Sequence, residues 1–175
     1  MKSKILLKAA ACQYGLRPQP EATLPLGNWF SGGGQWMQQR LYEMRQQPAV
    51  SLPKISFVLY GVIKYGCCLA GLVIALLLLY QIHHLLSPLA ILVFYFIEVH
   101  FLFLFPLLID QVQNPLTTSI RQTYKTGVIK AMMVVIPIAI FMIAGMLNRQ
   151  APLKNWYIGC LAILIWYEEE VVHRA

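Results

Sequence analysis

Three stretches of this chain decide what it can fold into. Residues 55–80 ("ISFVLYGVIKYGCCLAGLVIALLLLY"), 88–109 ("PLAILVFYFIEVHFLFLFPLLI") and 127–147 ("GVIKAMMVVIPIAIFMIAGML") are each apolar over 20 residues or more. A helix needs roughly 20 apolar residues to cross about 30 Å of hydrocarbon. Only helices keep every backbone polar group satisfied there. Composition agrees: 12% of residues are charged and mean hydropathy is +0.60. That is about half the charge of a soluble domain. A fourth run, "WYIGCLAILIWY" at 156–167, is shorter. It spans only if flanking residues over about 152–170 contribute, and a re-entrant or interfacial helix is the alternative. The expected fold is therefore an all-α integral membrane bundle of four helices, the fourth short. A basic cytoplasmic extension, residues 1–54, precedes the membrane domain, residues 55–175.

Lysine and arginine set the orientation. With the N-terminus inside, eleven basic residues fall on the cytoplasmic side and two, Arg149 and Lys154, on the other. Lys64 lies inside the first run. Both termini are thus expected in the cytoplasm, across a bacterial cytoplasmic membrane. Tyr80, Tyr124, Trp156, Trp166 and Tyr167 fall near the expected interfaces.

The extension divides into three parts. "MKSKILLKAAACQ" has too short an apolar core for a cleaved leader and reads as a short basic helix, with Lys4 and Lys8 on one face. Residues 17–34, rich in Pro and Gly, read as linker. The triple glycine 32–34 lacks the preceding strand and following Lys-Ser/Thr of a phosphate loop. Residues 35–47 read as a short helix whose Met37, Leu41 and Met44, beside Trp36, form an apolar stripe. That stripe either packs on the membrane domain or docks a partner, methionine faces being adaptable. The net charge of the extension points to anionic lipid and not to nucleic acid.

Of the four cysteines, none forms a CxxC or haem-attachment pattern. Cys67, with Gly66, Ala70 and Gly71, makes a small-residue patch that allows close helix approach.

"FYFIEVHFLFLFPLLID" buries a carboxyl and an imidazole in an apolar run. Residues two apart on a helix point about 200° apart, so Glu98 and His100 face opposite sides. A shared metal of the HExxH kind needs i, i+4 spacing and is excluded. In a helical hairpin, Lys64 and Glu98 fall at similar depths and can neutralise one another. Lys64, Glu98 and His100 therefore form the candidate intramembrane polar cluster. Its bland role is to fix helix packing, and its sharper one a proton or ion path.

The sequence holds no nucleophile motif, nucleotide loop or metal constellation. The expected function is non-enzymatic: binding or regulating another membrane protein, as accessory, assembly or immunity-type proteins do, or self-association. No cofactor is expected. A transport or proton-relay subunit, or a membrane-embedded enzyme, is the alternative.

Overall fold

The computed structural model describes residues 2–16, 29–47, 56–147 and 153–172. Most of the expected linker, together with Arg17, Lys54, Arg149, His173 and Arg174, lies outside them. The described chain is helical, with no strand. Helices α1 (Lys2–Leu16) and α2 (Trp29–Met44) precede a long hairpin. Its arms are α3 (Phe57–Ile82) and α4 (Ala90–His100), joined by a 3-10 turn, His84–Leu89. Short α5 (Leu104–Ile109), α6 (Pro115–Thr126), α7 (Val128–Met146) and α8 (Lys154–Tyr167) follow, and α8 runs on as a π-helical turn, Glu168–Val172.

Three segments are long and apolar enough to cross a membrane: Phe57–Ile82, His84–Ile109 and Val128–Met146, with mean hydropathy 2.4, 2.3 and 2.4. The second is broken between α4 and α5, at residues 101–103. Pro106 explains the break. It lacks the N–H that would bond the carbonyl four residues earlier, and its ring crowds that carbonyl. The last carbonyls of α4 then need partners, because a helix end leaves them unmatched. α6 supplies them. Thr123 Oγ1 donates to the Val99 carbonyl at 3.0 Å and Ser119 Oγ to that of His100 at 3.0 Å. Pro115, Ser119 and Thr123 form the buried row of α6, spaced four apart.

The fourth run behaves differently from the other three. α8 has 14 residues, roughly 21 Å of helix, and it is the centre of the bundle. Tyr157, Ile158, Leu161, Ala162, Leu164, Trp166 and Tyr167 are all buried. α1 runs antiparallel along it, with Lys2 beside Glu170 and Tyr14 stacked 6.4 Å from Tyr157. α2 runs parallel to it, with Trp36 4.7 Å from Tyr157 and Arg45 bonded to Glu168. α7 runs antiparallel, its Gly145 facing Asn155 and its Met142 facing Gly159. A side chain at either glycine would collide with its neighbour, so this seam depends on both.

Several expectations change accordingly. The N-terminal segment is no separate extension: Leu6, Ala10, Trp36, Met37 and Leu41 join the same core as α5, α7 and α8. The linker was expected to reach residue 34, yet α2 begins at Trp29 and takes in all three glycines. Gly34 has a packing reason, since any side chain there would strike the Phe57 ring. Trp166 and Tyr167 are core residues and not interface anchors, whereas Tyr80 and Tyr124 are exposed.

Ser119→Ala nearly keeps the shape of the side chain but removes the hydroxyl whose hydrogen bond the His100 carbonyl accepts. We expect a loss of about 1–3 kcal/mol, read as a lower unfolding midpoint in mild detergent. Thr117→Val, on the exposed side of α6, should fall within about 0.5 kcal/mol of the parent.

Candidate functional site

The polar groups of the hairpin separate into two sites. Lys64 Nζ lies 3.6 Å from Glu98 Oε1, with the two side chains 8% and 21% exposed. The ammonium also sits over the rings of Tyr65 and Phe105, at 5.3 and 5.6 Å. Antiparallel arms bring these two positions level, and the pair neutralises a charge that either group alone would bring among apolar side chains. The ammonium thus has both an anionic and an aromatic partner.

His100 is on the other side of α4. Its Nδ1 donates to the Phe96 carbonyl at 2.7 Å. The proton is therefore on Nδ1, and Nε2 can accept from the Tyr124 hydroxyl, 3.4 Å away. The imidazole lies edge-on between the rings of Phe96 and Tyr124. Among the described residues no hydrogen bond joins Glu98 to His100, and their partners belong to different helices.

The small-residue patch is placed unexpectedly. Gly71 meets α4, where an added Cβ would collide with Ile97, and the buried Cys68 lies on the same seam. Gly66, Cys67 and Ala70 do not contribute to it. They are exposed on the outer side of α3, and a Cβ on Gly66 would meet nothing. The hairpin buries one row of α3 and leaves the neighbouring small row open.

The stripe Trp36, Met37, Leu41, Met44 is used inside the chain. Trp36, Met37 and Leu41 are buried, Leu41 completely, and Met44 is packed against the same core. Of the two readings of this face, the structure shows packing within the chain: it is turned toward the core around α8.

The strongest polar constellation is one that sequence reasoning missed. Arg45 closes α2 and grips Asp110 with two bonds, Nη1 to Oδ1 at 2.6 Å and Nη2 to Oδ2 at 2.9 Å. Its Nε and Nη2 also donate to Glu168 Oε1, at 2.9 and 2.6 Å. Tyr167 donates its hydroxyl to Asp110 Oδ2 at 2.6 Å. The bonds to Asp110, and then those to Glu168, hold the Arg45 guanidinium above its ordinary pKa although partial burial pulls the other way. Backbone geometry fixes both ends. Arg45 and Asp110 each cap a helix whose next residue, Gln46 or Gln111, is left-handed at φ 54° and 51°. In each case the two following N–H groups turn back to the helix carbonyls, Gln46 and Gln47 to Glu43 and Tyr42, Gln111 and Val112 to Leu108 and Leu107. Beside this fork, Lys2 pairs with Glu169 and Glu170, and Lys130 lies 3.5 Å from Glu170. The one aspartate of the chain and the acidic triplet 168–170 were the available signal. Their shared end of the bundle could be read, but their partners could not.

Among the described residues no three His, Cys, Asp or Glu side chains gather as a metal site. A cleft of about 220 Å³ between α1, α2 and α8, lined by Gln13, Leu16, Arg40, Glu43, Met44 and Leu161, shares no residue with the hairpin cluster. Comparison with protein-family models, curated proteins and solved structures finds no match to this chain.

Two outcomes follow from this geometry. Lys64→Met and Glu98→Gln should each destabilise the protein, by about 3–5 kcal/mol on the scale of buried pairs in soluble proteins and by less where lipid supplies substitute partners. The double variant should regain most of the loss, and a cycle without coupling would refute the pairing. Arg45→Lys keeps the charge but cannot fork between Asp110 and Glu168. It should cost about 1–3 kcal/mol in the same unfolding measurement.

Proposed function

We propose that this chain is a small multi-pass membrane protein with both termini cytoplasmic, as the basic-residue bias suggests. In this proposal it works without catalysis, by binding another membrane protein. The observation that carries the reading is the uneven cover of α3. Among the described residues its extensive neighbours are α4 and the 3-10 turn, with α2 at its foot. Its outer side, with Gly66, Cys67 and Ala70 among exposed leucines and valines, has no partner among the described residues. Between membrane helices, small residues favour association because they let backbones approach and gain dispersion contact. A side chain at Gly66 would touch nothing among the described residues, so packing within them does not require the glycine.

The polar groups support the same reading. Lys64 and Glu98 satisfy one another, and His100 is held by Phe96 and Tyr124. A relay needs a group free to exchange its proton along a path, and Glu98 and His100 point to different neighbours. Pairing makes them part of the framework that holds the hairpin upright. The α1 and α2 helices belong to this framework on the cytoplasmic side. Their exposed Lys4, Lys8, Gln13, Gln35 and Gln39 suit water or headgroups better than hydrocarbon.

A photo-activated crosslinker on Cys67, with the other three cysteines replaced by alanine, tests the proposal in native membranes. It should yield an adduct with a second, different polypeptide, identified by mass spectrometry. Gly66→Ile should reduce that adduct roughly tenfold or more by blocking close approach, while leaving the unfolding midpoint unchanged. An adduct at twice the chain mass would replace the partner by a second copy. Crosslinking no stronger than from a cysteine placed at the exposed Leu77 would sink the docking face.

A further inference from the structure

We infer that α6 forms a binding site for the headgroup of an anionic phospholipid. Charge accounting leads to it. The chain has seven acidic residues, and Glu21 alone lies outside the described ones. Each of the other six has a basic partner. Glu43 pairs with Arg40, Glu98 with Lys64, Asp110 and Glu168 with Arg45, Glu169 with Lys2, and Glu170 with Lys2 and Lys130. Arg121 and Lys125 make no ion pair with any described carboxylate. They are exposed and stand four residues apart on α6, so they share one face of the helix. That face is opposite the buried row Pro115, Ser119 and Thr123. The exposed Tyr124 stands beside them with its hydroxyl toward His100 Nε2.

The position selects the ligand. Gly127 joins α6 directly to α7, one of the three apolar segments. The first turns of α7 show Ile129 at 76% and Met133 at 70% exposure. A surface with two cations, an aromatic ring and then uncovered apolar side chains matches a phospholipid from headgroup to acyl chain. Phosphate binds the guanidinium in two-pronged fashion and the ammonium as a point charge. The inference rests on α7 lying in a bilayer, and it goes beyond partner binding by α3. It also relocates the expected lipid contact. In the N-terminal segment Lys2, Arg40 and Arg45 are engaged with carboxylates, which leaves Lys4 and Lys8 as its exposed described cations.

The test uses the full chain in neutral detergent, titrated with phosphatidylglycerol or with phosphatidylcholine of the same acyl chains. Binding is read by native mass spectrometry and by the unfolding midpoint. Phosphatidylglycerol should bind preferentially and raise the midpoint. The double variant Arg121→Ala/Lys125→Ala should lose roughly tenfold or more of that preference, with its phosphatidylcholine midpoint unchanged because both side chains are exposed. Lys4→Ala/Lys8→Ala should keep the preference. Equal binding of the two lipids, retention of the preference by the α6 variant, or its loss in the α1 variant would overturn the site. Full competition by millimolar inorganic phosphate, or tighter binding of a single-stranded RNA through Arg121 and Lys125, would overturn the lipid as its ligand.

Discussion

Arg45 is the point on which the body of the molecule turns. Its fork reaches Asp110, 65 residues away, and Glu168, 123 residues away, and so ties together the ends of α2, α5 and α8. An arginine can do this because its donors are fixed in one plane, and a carboxylate accepts two of them in parallel. The tie is set by backbone as well as by charge. Both partners cap helices that stop in a left-handed glutamine, a conformation that costs non-glycine residues free energy. Such strain persists where the surrounding structure over-determines it. Here the two bent helix ends aim the guanidinium and the carboxylate at each other.

With that end fixed, α2 must lie along α8, and the burial of α8 follows. A helix whose apolar residues cover its whole circumference needs cover on every side. α7 supplies one side and the turn before α5 another, through Phe103 against Trp166 and Tyr167. The remaining sides fall to α1 and α2, whose inner faces are apolar and whose charged residues other than the ion-paired ones lie outside, beside the exposed Ile5 and Leu16 of α1. The exposed Lys4 and Lys8 and the buried Leu6 and Ala10 belong to one helix. The charge of this segment faces outward because its apolar side is already occupied.

The hairpin obeys a different constraint. Among the described residues α3 has, above its foot, little but α4 to lean on, so its stability rests on local pairing: Lys64 with Glu98, and Gly71 against Ile97. The break after His100 would leave the His100 carbonyl unmatched among apolar side chains if α6 did not return with Ser119, and Thr123 adds a second donor to the Val99 carbonyl. The same return leaves Arg121 and Lys125 pointing away from the protein. A helix recruited to satisfy a broken backbone thus also displays two cations where the apolar surface of α7 begins.

Some of this was legible in the residues alone. Span length and helix period are local properties, so the three apolar segments could be placed from the sequence. The opposite facing of Glu98 and His100, and the common level of Lys64 and Glu98, followed from 1.5 Å and 100° per residue. The partners of these groups did not. Nothing within several residues of Arg45 encodes which of several carboxylates it will meet, because that depends on how helices far apart in sequence pack. Met37 and Leu41 have the same spacing whether they face a partner or α8. Gly32 to Gly34 look like a loop until the Phe57 ring requires the space beside Gly34. Gly66 and Gly71 belong to one small-residue pattern, yet one lies in a seam and the other outside it. Sequence determined the segments, their faces and the levels of their charges. The tertiary structure decided which faces were covered, because cover is a relation between helices and no single helix carries it.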